Sequence, residues 1–106
     1  MQSITFVELP HFTRHVYDYL TEEAYLGLQF HLIYHPNAGD LVKGSGGCRK
    51  LRWSAEGRGK RGGVRVIYYY RRTRGEMWML TIYAKNETGA IPGHVLRRLR
   101  EEIEHD

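Results

Sequence analysis

Five residues of this 106-residue chain, Lys50, Arg52, Arg65, Tyr83 and Lys85, have types and spacing that could act together on a phosphodiester. Alternate side chains of a strand point to opposite faces of its sheet. In 48–53, Leu51 and Trp53 read as core-facing, which turns Lys50 and Arg52 outward. In 64–70, Val64, Val66, Tyr68 and Tyr70 make one face, with Arg65, Ile67 and Tyr69 on the other. In 77–85, Trp78, Leu80 and Ile82 read as the apolar set, opposed by Met79, Thr81, Tyr83 and Lys85. If the apolar sets share the helix-covered side, the five polar residues gather on the other as a cationic patch with tyrosine. Such a patch holds phosphates and stacks splayed bases. Cleaving RNA without a metal needs a 2′-hydroxyl deprotonated, a pentacoordinate phosphate stabilised and a 5′-oxygen protonated. Clustered cations serve the second need and can depress a neighbouring Lys or Tyr pKa, making that group a base.

The elements that position these residues follow from pattern. Ser3–Glu8 alternates as a short strand ended by Pro10, and His11–Leu20 reads as a short helix. Thr21-Glu22-Glu23 opens a second helix with a capping hydroxyl and two carboxylates at the positive end of its dipole. Tyr25, Leu28 and Leu32 carry its buried face, supported by Leu26, Phe30 and Ile33, and His35-Pro36 stops it. Three strands, Cys48–Trp53, Val64–Arg72 and Met77–Ala84, read as an antiparallel meander. Pro92 stands near the start of a last helix with Leu96, Leu99 and Ile103 on one face. The expected fold is α+β, in the order β-α-α-β-β-β-α, as one domain over residues 1–106.

The net charge of +4 hides an asymmetry. Residues 43–74 carry eleven Lys and Arg against Glu56 alone, whereas residues 1–42 carry Arg14 against five carboxylates. A solubilising surface mixes its signs, so the basic middle points to a polyanionic partner. Gly57-Arg58-Gly59-Lys60-Arg61-Gly62 fits G-x-G-x-x-G, but it opens onto VRVIYYY, a strand, with no helix dipole to meet a pyrophosphate. The stretch instead reads as a hairpin loop whose Arg58, Lys60 and Arg61 suit backbone phosphates. Cys48, the one cysteine, forms no internal disulfide, and the N-terminus lacks a signal-peptide build, so a cytoplasmic protein is expected. His31 and His35 have i, i+4 spacing without an evident third ligand, so neither a metal nor a cofactor is expected.

Two stretches, "GSGGCRKLRWSAEGRGKRGGVRVIYYY" and "LTIYAKNE", resemble the RelE/ParE superfamily of bacterial toxins, and within it the HigB-like messenger-RNA endonucleases. The resemblance rests on an R-K-x-R strand, a basic glycine loop, a G-x-R-x-I-Y-Y strand and a Y-x-K-N-E ending, and it covers the chain in element order. It implies a toxin of a type II toxin-antitoxin system that enters the A site of the 70S ribosome and cuts mRNA by 2′-hydroxyl attack. It implies a cognate antitoxin, often a helix-turn-helix DNA-binding protein. By position, Lys50 and Arg52 match the basic pair of the family's second strand and Arg65 its phosphate-binding arginine. Lys85 and Asn86 match the basic stretch after the last core strand, Asn86 replacing an arginine. Arg49, Arg58, Lys60, Arg61 and Asn86 are the expected substrate-binding residues. No tyrosine follows Tyr83, so Tyr83, Lys50 and His94 are the candidates for general base. The ParE branch, which inhibits DNA gyrase without nuclease chemistry, and a plain RNA-binding module are the alternatives.

Overall fold

In the computed structural model, which describes residues 3–54, 63–85 and 91–105, the elements run β1 (Thr5–Glu8), α1 (Pro10–Tyr19), α2 (Glu22–Tyr34), β2 (Asp40–Leu41), β3 (Arg49–Trp53), β4 (Val64–Arg71), β5 (Glu76–Ala84) and α3 (Gly93–His105). The sheet order is β1-β5-β4-β3-β2, with β1 parallel to β5 and every other pair antiparallel. The expected α+β class and three-strand meander are present. The two-residue β2 is an addition, too short to leave an alternating pattern.

Local chemistry explains the boundaries. Pro10 begins α1, where its missing N–H costs nothing. Thr21 caps α2, its Oγ1 accepting from the Ala24 N–H at 3.0 Å. Gly75 closes the β4–β5 turn at φ +62°, a left-handed conformation that glycine adopts without strain.

The sheet is covered on both faces. Helices α1 and α2 bury Phe12, Val16, Leu28 and Leu32 against Val64, Val66, Tyr68, Met77, Met79 and Ile82. Helix α3 builds a second cluster on the opposite face, where Leu96 and Ile103 meet Cys48, Ile67, Leu80 and Tyr83. Fully burying one such side chain contributes about 1.5–3 kcal/mol. Helix α2 carries apolar residues on more than one face, so one buried stripe cannot hold them all. Leu26 and Phe30, expected to support that stripe, are each 52% exposed.

The alternation expected for β5 needs correction. A register shift pairs Ile67 with Thr81 but Tyr68 with Met79, leaving Leu80 as an extra residue. A bulge of this kind resets which face each side chain takes. Met77, Met79 and Ile82 therefore pack toward α1 and α2, while Trp78, Leu80 and Tyr83 pack toward α3. Trp78, Leu80 and Ile82 are not one set, and the face opposite the first two helices is largely a second core.

Candidate active site

One open polar row survives on that second face. Arg52 of β3 is the register partner of Arg65 of β4, which is in turn the partner of Tyr83 of β5. Neighbouring strands lie about 4.8 Å apart, so the row places two guanidinium groups and a phenol side by side. The bulge at Leu80 brings Tyr83 into this row. Arg52 is exposed, Arg65 half-buried and Tyr83 9% exposed.

Arg65 is the central member. Its Nη1 is buried and has no hydrogen-bond partner among the described residues. A buried donor left unmet is costly, and a charged one more so. A phosphate oxygen would satisfy it with a charge-assisted bond. Gly63, at φ +36°, sits beside this row: a Cβ there would crowd the Trp53 carbonyl at 3.2 Å and lie at ordinary contact distance from Arg52 Cγ and Arg65 Nη1.

Burial raises the Tyr83 pKa, and the nearby Arg65 charge pulls it only partly back. Cationic neighbours were expected to depress such a group toward a base. Here desolvation outweighs them, so Tyr83 is a proton donor at neutral pH. Cys48 is likewise pushed up by burial, with Ser45 and Arg100 acting against it, and is no ready nucleophile.

The remaining expected residues divide. Lys50 is exposed beside the row, level with Ile67, and Lys85 is exposed one residue beyond β5. Arg49 shares the opposite face with Tyr68, and its Nη1 donates to the Gly39 carbonyl at 2.7 Å and the Asn37 carbonyl at 3.3 Å. It braces the β2 turn. Arg71, counted in the basic middle, is 6% exposed and ion-paired at 3.5 Å with both Glu76 and Glu104. His94 is exposed at the start of α3. Arg58, Lys60, Arg61 and Asn86 lie outside the described residues. Among the described residues no His, Cys, Asp and Glu side chains group as three or more metal ligands, and no helix is long and apolar enough to cross a membrane.

Two hollows flank the row without having been read from the sequence. A groove of about 470 Å³ between α1 and α3 reaches Tyr83 and includes His11, His15 and Leu99. A larger cleft of about 730 Å³ lies where β3 meets the start of α2, and Arg52 lines it. Trp53, read as core-facing, forms part of its wall. Strand alternation gives a side chain's face, not whether a helix closes over it, so nothing in the pattern announced either hollow.

A mostly antiparallel five-stranded sheet with two helices on one face and one on the other makes a RelE-like fold. A solved structure of the E. coli toxin RelE, an arginine-to-alanine double mutant in the free state, is similar with a TM-score of 0.52 over 98% of each chain. Sequence identity to it is 11%, a level at which the likeness concerns the fold. No protein-family model matches the chain.

Proposed function

We propose that this protein is the toxin of a type II toxin-antitoxin system and a ribosome-dependent endoribonuclease of the HigB-like kind, cutting mRNA by metal-independent 2′-hydroxyl attack. The carrying observation is the Arg52–Arg65–Tyr83 row, with an Arg65 Nη1 at its centre that meets no partner among the described residues. Arg65 stabilises the charge that develops on the pentacoordinate phosphate, an interaction strongest in the transition state. Arg52 and Lys85 hold neighbouring phosphates. Tyr83, kept protonated by burial, donates a hydrogen bond to a phosphate oxygen or to the leaving 5′-oxygen. The proton of the 2′-hydroxyl then falls to Lys50 or His94.

The ribosome supplies the A-site geometry that aligns the message, which a shallow row on a small sheet does not supply alone. A cytoplasmic setting follows from that substrate. The partner that restrains the toxin is an antitoxin whose acidic segment neutralises the basic face, joined to a helix-turn-helix DNA-binding part.

Primer extension on a message translated in a purified system, with wild type and Arg65→Ala compared, tests this reading. New ends within codons for wild type, reduced about 10²-fold or more by the substitution, are expected. A folded wild-type protein that leaves the message intact, with or without ribosomes, would overturn the nuclease and direct the search to gyrase.

A further inference from the structure

We infer that the cleft between the first turn of α2 and the end of β3 is a binding site for a guanine base, with Trp53 as its stacking wall and Glu23 as its reading group. The inference takes the messenger-RNA reading as the source of the base, although the binding test below is independent of it.

Trp53 is held for such a task. Its Nε1–H donates to the Ala24 carbonyl at 3.0 Å, and its ring lies against His31 with centroids 5.3 Å apart. Helix α2 packs against the indole at Gly27, where a Cβ would lie at an ordinary contact distance of 3.6 Å from Trp53 Cζ2. A half-buried indole fixed on two sides loses little freedom on receiving a base, and base–aromatic stacking contributes strongly to single-strand binding.

The rest of the lining sets the ligand. Thr21, Glu23, Ala24, Arg52 and Ser54 complete the walls. No ion pair holds Glu23 among the described residues. A carboxylate only accepts hydrogen bonds, and it accepts two parallel ones best. Guanine alone among the four bases offers two adjacent donors, N1–H and N2–H, on its Watson–Crick edge. Uracil flanks its single N–H with two carbonyls, which repel a carboxylate, while adenine and cytosine each offer one amino group beside a bare ring nitrogen.

Position ties the cleft to the reactive row. Arg52 lines the cleft and is also the register partner of Arg65. Because β2 covers only Arg49 and Lys50, the β3 edge from Leu51 to Trp53 is not paired by it. A strand of RNA can therefore turn round that edge, one nucleotide seated against Trp53 and a neighbouring phosphate at Arg65. Base preference at the cut would then originate in this chain as well as in the ribosome.

The test is fluorescence titration of a Trp78→Phe protein, in which Trp53 is the remaining tryptophan, with GMP, AMP, CMP and UMP. Saturable quenching by GMP, about tenfold tighter than by CMP, is expected. Glu23→Gln should erase that margin, and Gly27→Leu, which fills the cleft while suiting a helix, should abolish binding of all four. Circular dichroism verifies that each variant is folded. No saturable quenching by GMP, or equal quenching by all four nucleotides that survives Glu23→Gln, overturns the site. If GMP binds but translated message is never cut, the guanine site stands and the nuclease falls. If message is cut at Arg65-dependent positions but GMP does not bind, the nuclease stands and the guanine site falls.

Discussion

Arg65 and Tyr83 stand directly opposite one another on β4 and β5, yet the arginine does not make the tyrosine acidic. Burial raises the Tyr83 pKa above its ordinary value of 10.0 by more than the Arg65 charge lowers it. A phenol whose pKa is raised stays protonated throughout the neutral range and well into the alkaline one. The phenolate needed for general-base work is thus scarce at neutral pH.

Tyr83→Phe should consequently slow cleavage by one constant factor between pH 6 and 8.5. Single-turnover rates on ribosome-bound message, measured across that range for both proteins, give the ratio at each pH. A ratio that grows as pH rises would mean that Tyr83 ionises during turnover, and would return it to the role of base.

Two arginines separate activity from stability. Arg65 Nη1 bonds to no described residue, so its loss removes no hydrogen bond there and relieves a buried unmet donor; Arg65→Ala should not lower the unfolding free energy by more than about 1 kcal/mol. Arg71 is 6% exposed and pairs with Glu76 and Glu104 at 3.5 Å. Removing it leaves both carboxylates without an ion-pair partner, although Glu76 still accepts from Trp78 Nε1–H and Glu104 from the Tyr69 hydroxyl. Because they are partly solvated, the expected cost is about 2–3 kcal/mol, below that of a wholly buried pair. Urea unfolding of the two variants gives the comparison. Equal losses would mean that Arg65 is as structural as Arg71.

The row was legible in the sequence because period-two alternation fixes Arg52 and Arg65 on one face, and a meander brings their strands together. Tyr83 was placed in the row for an incomplete reason. Uninterrupted alternation put Met79 beside it, whereas the bulge at Leu80 sends Met79 to the other face. No residue type marks a bulge of this kind, since leucine suits either face. The basic middle also misled in part. Charge counting treats Arg49 and Arg71 like Arg52, but carbonyls at Gly39 and Asn37 and carboxylates at Glu76 and Glu104 draw those two into the fold. Their partners are distant in sequence or sit in turns, where periodicity carries no information. The amphipathic pattern of α3 announced a buried face but not which side of the sheet it would cover.

Tyr68 provides a prediction about the fold that no activity assay is needed to check. It is fully buried, and its hydroxyl donates to the Pro36 carbonyl at 2.8 Å while accepting from the Gly39 N–H at 2.9 Å. One phenol thereby ties the end of α2 to the sheet through two backbone groups. Tyr68→Phe keeps the ring but strands both groups, and should destabilise by about 1–3 kcal/mol. Amide exchange at Gly39 should accelerate beyond the global change. Wild-type exchange at Gly39 in the variant would show that another acceptor holds that N–H.

Alkaline pH should weaken the fold through two other tyrosines. Tyr25 donates to Glu8 Oε2 at 2.5 Å, and its pKa is raised, chiefly by burial and then by Glu8. Tyr69 donates to Glu104 and is pushed up to about 12, again by burial first and the carboxylate second. The sign follows from linkage. A group whose folded pKa lies above its unfolded value contributes stability in full below the unfolded value, near pH 10, and loses it as pH climbs through the folded value. Urea midpoints should therefore be flat in this respect between pH 7 and 9 and fall between about pH 10 and 12. Lysines deprotonate over the same interval, so the informative quantity is the difference between proteins. Tyr25→Phe should be less stable than wild type at pH 8, having lost the bond to Glu8, yet fall less steeply above pH 10. Parallel curves for the two proteins would show that the Tyr25 proton is not what the alkaline limb reports.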